Sequence, residues 1–133
     1  MSLKNITLGH TASLHLRHPG TDALLYCDDK SPMTIDLVGE HSEEYKATTR
    51  RWQNETLRRP GRKLSAEQIE ERSLDLLVAV TKGWHLQWDD GMLPFSPQQA
   101  RDIYGDREYG WIKSQVEAYV FEQANFLGES WLA

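Results

Sequence analysis

The side chains in this sequence with the chemistry to hold a metal or move a proton are His10, His15, His18, His41, His85, Cys27 and the carboxylate pairs Asp28-Asp29 and Asp89-Asp90. Only the first three histidines lie close together in the chain. On a strand, side chains alternate between faces, so His15 and His18 point opposite ways, and chelation by that group would require the strand to end early. These histidines read as surface polar residues. Neither acidic pair has the spaced ligands of a calcium-binding loop; carboxylates ahead of Lys30 or Gly91 are ordinary turn chemistry. Cys27 has no second cysteine and no clustered histidine beside it in sequence, and reads as a structural thiol. No G-x-S-x-G, P-loop or G-x-G-x-x-G motif occurs. The expectation is therefore no catalytic, cofactor-binding or metal-binding residue and no enzymatic activity, with a small enzyme assembled from distant residues as the remote alternative.

The other chemically distinctive stretch is "TRRWQNETLRRPGRK", in which Arg50, Arg51, Arg58, Arg59, Arg62 and Lys63 flank Trp52. Stacking on the tryptophan would suit a nucleic acid. Against that stands the formal net charge of -5, since affinity for polyphosphate chains depends on neutralisation by Lys and Arg. Glu67, Glu70, Glu71 and Asp75 follow at once. The two blocks read as solvated helix faces, with Arg51, Arg58 and Arg62 against Glu67, Glu70 and Glu71 as candidates for contact between copies of the chain.

The elements that must carry these residues follow from periodicity. In "TASLHLR" Ala12, Leu14 and Leu16 alternate with polar residues, the period of a half-buried strand. Pro19-Gly20-Thr21-Asp22 is a turn, "ALLYC" a return strand, "DDKSP" a second turn and "MTIDLV" a third strand. Ser42, followed by Glu43 and Glu44, caps a helix that runs to about Arg59, with Tyr45, Trp52 and Leu57 as a thin apolar stripe. Pro60-Gly61 breaks it. Ser65 and Gln68 have capping-box spacing, and the helix they start contains "LDLLVAV", apolar on nearly every side; Gly83 is the expected left-handed residue that closes it. Ser96-Pro97 starts a short helix to about Tyr104. A longer one carries Tyr109, Ile112, Val116, Tyr119, Val120 and Leu127.

The fold class is α+β: an N-terminal three-stranded antiparallel β-meander followed by a four-helix, mainly α-helical body. With 133 residues, 39% of them hydrophobic, the chain suits one domain (1-133), with the meander at 10-40 and the helical part at 42-133. No apolar run is long enough for a bilayer and no signal-peptide h-region appears, so the cytoplasm is expected and membrane association is not.

Between the second and third helices lies "GWHLQWDDGMLPFS", unusually apolar for a connection. Trp84, Leu86, Leu93 and Phe95 are expected to plug the core, each stabilising by roughly 1.5–3 kcal/mol when buried. Trp88 and Met92, beside the charged tip, are harder to bury. Together with Trp52 on its sparsely apolar helix, they are candidates for protein binding, because Trp is enriched in binding hot spots and Met adapts to varied surfaces. Phe126 and Trp131 near the C-terminus are further candidates for docking on a neighbour.

Two long stretches carry a family resemblance. "LRHPGTDALLYCDDKSPMTIDLVGEHSEEYKATTRRW" resembles the N-terminal pattern of the tail assembly chaperones of long-tailed bacteriophages: a proline-threonine turn, an acidic turn, an extended "TI-D" segment and a Gly-x-x-Ser helix start. "LLVAVTKGWHLQWDDGMLPFSPQQARDIYGDREYGWIKSQVEAYVFEQANFLGES" resembles their C-terminal half in its Gly-Trp after a buried helix, acid-Gly turn, Leu-Pro-Phe-Ser helix start, Trp-Ile-x-x-Gln-Val helix and closing Asn-Phe. One departure is the glycine between proline and threonine in "HPGTD".

The resemblance implies a phage- or prophage-encoded helper without enzymatic activity or cofactors. It would bind and shield the tape measure protein as a homo-oligomer in the host cytoplasm and be absent from the mature virion. A frameshifted, extended form would reach the tail tube protein. The alternative within phage biology is a structural head-tail completion or minor tail protein, which would stay in the particle.

Overall fold

The computed structural model describes residues 3–9 and 11–127. It is an α+β protein with a three-stranded antiparallel sheet and four helices, as the sequence pattern predicts. In chain order the elements are β1 (Ala12–His15), β2 (Thr34–Leu37), α1 (Glu43–Arg58), α2 (Ala66–Val80), β3 (Thr81–His85), β4 (Gln87–Trp88), β5 (Gly91–Met92), α3 (Pro97–Gly105) and α4 (Gly110–Val120).

The third strand is not the expected one. β2 lies in the middle of the sheet, with β1 on one edge and β3, which follows α2, on the other. Leu14 faces Ile35 across the first pair, and Ile35 faces Trp84 across the second. The segment Ala23–Cys27 makes only isolated bridges, Arg17 to Leu24 and Tyr26 to Pro32. Its backbone explains why. The N–H of Leu16 donates to Met33 O, that of Met33 to Leu25 O and that of Leu25 to Leu16 O, each at 3.0 Å. Three segments thus close a ring of hydrogen bonds at a single level. β1 and β2 meet directly below it, which leaves no ladder for residues 23–27 to extend.

The starts of α1, α2 and α3 are those read from the sequence, whereas α4 begins at Gly110 and Tyr109, expected on it, lies in the 3-10 turn before it. Ser42 accepts from the Tyr45 N–H, and Ser96 from that of Gln99, with Pro97 in the first turn. Ser65 and Gln68 satisfy each other's backbone N–H groups in a full capping box. The end of α2 differs. Gly83 lies inside β3 and closes nothing; Thr81 ends the helix by donating its hydroxyl to Leu77 O at 2.7 Å. The Val38 N–H then bonds Val80 O, so the chain passes from helix to sheet without a turn. α4 stops at Val120, short of Leu127, and a short 3-10 turn, Gln123–Phe126, follows. Leu57 is 79% exposed and takes no part in the packing of α1.

Among the described residues, fifteen buried ones form one core cluster, including Leu16, Ile35, Leu37, Leu77, Val80, Ile103, Val116 and Phe126. Tyr104 enters it with its hydroxyl 2.8 Å from Thr81 Oγ1; because Thr81 donates to Leu77 O, the tyrosine is the donor in this pair. Outside the core, Arg101 of α3 pairs with Asp75 and Glu71 of α2. No helix among the described residues is long and apolar enough to cross a membrane.

Candidate protein-binding groove

The apolar connection resolves into plugs and a protruding hairpin. Leu86 is 5% exposed, and Trp84, Leu93 and Phe95 pack against the core while partly buried. Trp84 meets Phe95 edge-on with ring centroids 4.9 Å apart and donates its indole N–H to Leu93 O at 2.9 Å. Beyond them β4 and β5 pair around Asp89-Asp90, and Asp89 takes φ 57°, the positive value a two-residue hairpin turn requires and acidic residues tolerate. Gln87 fixes this hairpin to the N-terminal region: its side-chain oxygen accepts from Asp28 N–H at 2.6 Å and its amide donates to Asp28 Oδ2 at 2.7 Å.

Trp88 therefore stands at the edge of a groove of about 530 Å³. Leu16, Leu25 and Met33, the three residues of the backbone ring, line it together with Leu86, Ile103, Tyr109, Trp111 and Ile112. His18, Gln87 and Asp89 are its polar members. The ring of Trp88 lies 5.1 Å from that of Tyr109 yet stays 45% exposed. A concavity of this size, mostly apolar with a few polar groups, has the character of a binding site for an apolar group or segment.

The other expected contact residues separate. Met92 is 47% exposed on β5, beside the groove but not lining it. Trp52 is half-buried under the Arg72 guanidinium, 5.5 Å from its ring centroid, and Arg72 also pairs with Glu55. Phe126 is corrected outright: at 1% exposure, packed on His41 and Tyr119, its ring is used within the chain and offers nothing to a neighbour. Trp131 lies outside the described residues, as does His10.

The charged blocks do not neutralise each other within the chain. Glu71 turns to Arg101, while Arg51, Arg58 and Arg62, exposed, have no ion-pair partner among the described residues. Arg58, Arg59 and Arg62 surround a surface recess together with Glu55. Glu67 and Glu70 are likewise exposed and outside any described ion pair.

Among the remaining histidines, His15 Nε2 lies 2.7 Å from Leu25 O, and His18 Nδ1 accepts from the N–H groups of Gly20 and Thr21. These contacts explain both as turn and strand supports. His85 is different. Its Nε2 lies 2.8 Å from Ser31 Oγ, which also donates to Asp29 Oδ1 at 2.5 Å, and the side chains of Cys27, Asp29 and His85 offer ligand atoms within 4.8 Å of one another. The hydroxyl and backbone N–H of Ser31 hold the Asp29 carboxyl below its ordinary pKa. Cys27 has no histidine beside it in sequence, but the fold brings His85 to it. The sequence signal was the alternation Cys27-x-Asp29-x-Ser31, but its partner His85 arrives only through the pairing of β2 with β3.

Comparison of the chain with protein-family models, with curated proteins and with solved structures gave no match.

Proposed function

We propose that this protein is a phage tail assembly chaperone that binds and shields the tape measure protein during tail morphogenesis. The observation that supports the reading is the open apolar groove with Trp88 half-exposed at its edge. A long helical client presents apolar stripes that would collapse in water. A copy of this chain covers a short length of stripe by admitting its side chains between Trp88, Tyr109 and the Leu25-Met33 wall. Moderate affinity per copy, multiplied along a repetitive client, permits coverage first and later displacement by tube subunits. The basic C-terminal turn of α1, without an ion-pair partner among the described residues, and the acidic first turns of α2 give neighbouring copies a means of self-association. On this reading the protein works in the host cytoplasm and leaves before the virion is complete, and a frameshifted form adds the contact with the tail tube protein.

Co-expression with a phage tape measure protein is the direct test. The client should become soluble and co-purify with several copies of this chain, and Trp88→Ala should reduce that yield without unfolding the protein. A client that stays insoluble, or a complex indifferent to Trp88→Ala, would remove the reading. Mass spectrometry of purified virions separates the structural alternative, because a completion or minor tail protein remains in the particle.

A further inference from the structure

We propose that Cys27, Asp29 and His85 form a binding site for a divalent metal ion of the zinc class. The site is built by two pieces of backbone. In the turn after Tyr26, the Cys27 N–H donates to Ser31 O at 2.8 Å, the Lys30 N–H returns to Cys27 O at 2.9 Å, and Lys30 takes φ 71°. Gln87 draws Asp28 to itself, so the adjacent carboxylates part: Asp28 is committed to the hairpin and Asp29 to Ser31. The second piece is the end of β3, where His85 pairs opposite Thr34 and places its imidazole against Ser31.

One thiolate, one imidazole and one carboxylate are the donors a borderline-soft cation selects over calcium or magnesium, which take oxygen ligands. With metal–ligand distances of about 2.0–2.3 Å, tetrahedral donor atoms stand roughly 3.3–3.8 Å apart. The present separations, within 4.8 Å, close to that value by small rotations of the exposed Asp29 and His85 side chains toward the buried Cys27. Ser31 supplies the surrounding support that metal sites need. Its N–H and hydroxyl both engage Asp29 Oδ1, which leaves Oδ2 for the cation, and the same hydroxyl orients His85. On binding, the Cys27 S–H loses its proton to solvent and a sulfur–metal bond forms. The two negative ligands and the neutral imidazole balance a 2+ charge, and a water completes the fourth position. The turn so pinned lies between Leu25 and Met33 of the groove.

The test uses the full-length protein, stripped with a chelator and titrated with Co²⁺, then Zn²⁺. One equivalent of cobalt should produce a thiolate-to-metal charge-transfer band in the near ultraviolet, and zinc should abolish it by displacement. Cys27→Ser should eliminate the band. His85→Gln and Asp29→Asn should each weaken binding by about tenfold or more; both residues are exposed, and circular dichroism would show that the variants remain folded. Absence of the band in the parent protein would overturn the proposal. So would affinity that survives His85→Gln, because the metal would then sit elsewhere.

Discussion

Phe126 lies directly on Gly39: a Cβ placed on that glycine would stand 2.8 Å from the Cδ2 atom of the phenylalanine and 3.0 Å from a ring carbon of His41. The chain just after the central strand is thereby fitted to the last described turn, and both residues are buried. Gly39→Ala should lower stability by about 1–3 kcal/mol, since the ring cannot retreat without disturbing the core. Urea denaturation would measure it. The double variant Gly39→Ala, Phe126→Leu should lose less than the sum of the two single changes, because the smaller side chain removes the clash.

Trp84 and Trp88 stand four residues apart and should behave in opposite ways. Trp84→Ala removes a ring packed on Phe95 and the indole bond to Leu93 O, and should cost about 3 kcal/mol, the low end for such truncations because the ring is only partly buried. Trp88→Ala leaves the core intact and forfeits mainly the contact with Tyr109, about 1 kcal/mol. Equilibrium unfolding of both variants checks the contrast.

Tyr104 gives the fold an alkaline weakness. Burial pushes its pKa up to about 12, against an ordinary value of 10.0. A raised pKa means that the folded state holds the proton more tightly than the unfolded one. Its contribution is fully present below pH 10 and is lost as the pH climbs to about 12, amounting to about 3 kcal/mol. Stability measured across that window should fall, and Tyr104→Phe should flatten the slope at a cost near neutrality of about 1 kcal/mol. Tyr45 and Tyr119, also raised by burial, leave a residual slope.

Arg101 joins α3 to α2 through Asp75 and Glu71. All three side chains are partly exposed, so solvent screens the pairs; Arg101→Met should cost about 1 kcal/mol. Thermal melts in low and high salt would show the difference between parent and variant shrinking as ionic strength rises.

The starts of the first three helices are read correctly from the sequence because each capping residue's partner is a few positions away. Ser42, Ser65 with Gln68, and Ser96 ahead of Pro97 each complete a bond within their own first turn, so their spacing is sufficient. Alternation likewise identifies β1 and β2. It does not say which strands pair, and for that reason the segment Ala23–Cys27, no less apolar than its neighbours, reads as a strand although Thr81–His85 takes the edge of β2. Gly83 looks like a helix terminator because Thr81, which performs that task, does so with a side chain. Phe126 resembles a loose terminal aromatic until the bare backbone of Gly39 is brought beneath it. The Cys27, Asp29 and His85 cluster depends on strand pairing across two intervening helices, a relationship no local pattern encodes.

That same strand order has a consequence during synthesis. Ile35 and Leu37, both 0% exposed in the finished protein, emerge from the ribosome long before Thr81–His85 does. Until then β2 has a partner along one side only, with open amide and carbonyl groups and apolar side chains on the other. A nascent chain halted anywhere in α1 or α2 would be sticky toward its own copies until the edge strand arrives to cover β2.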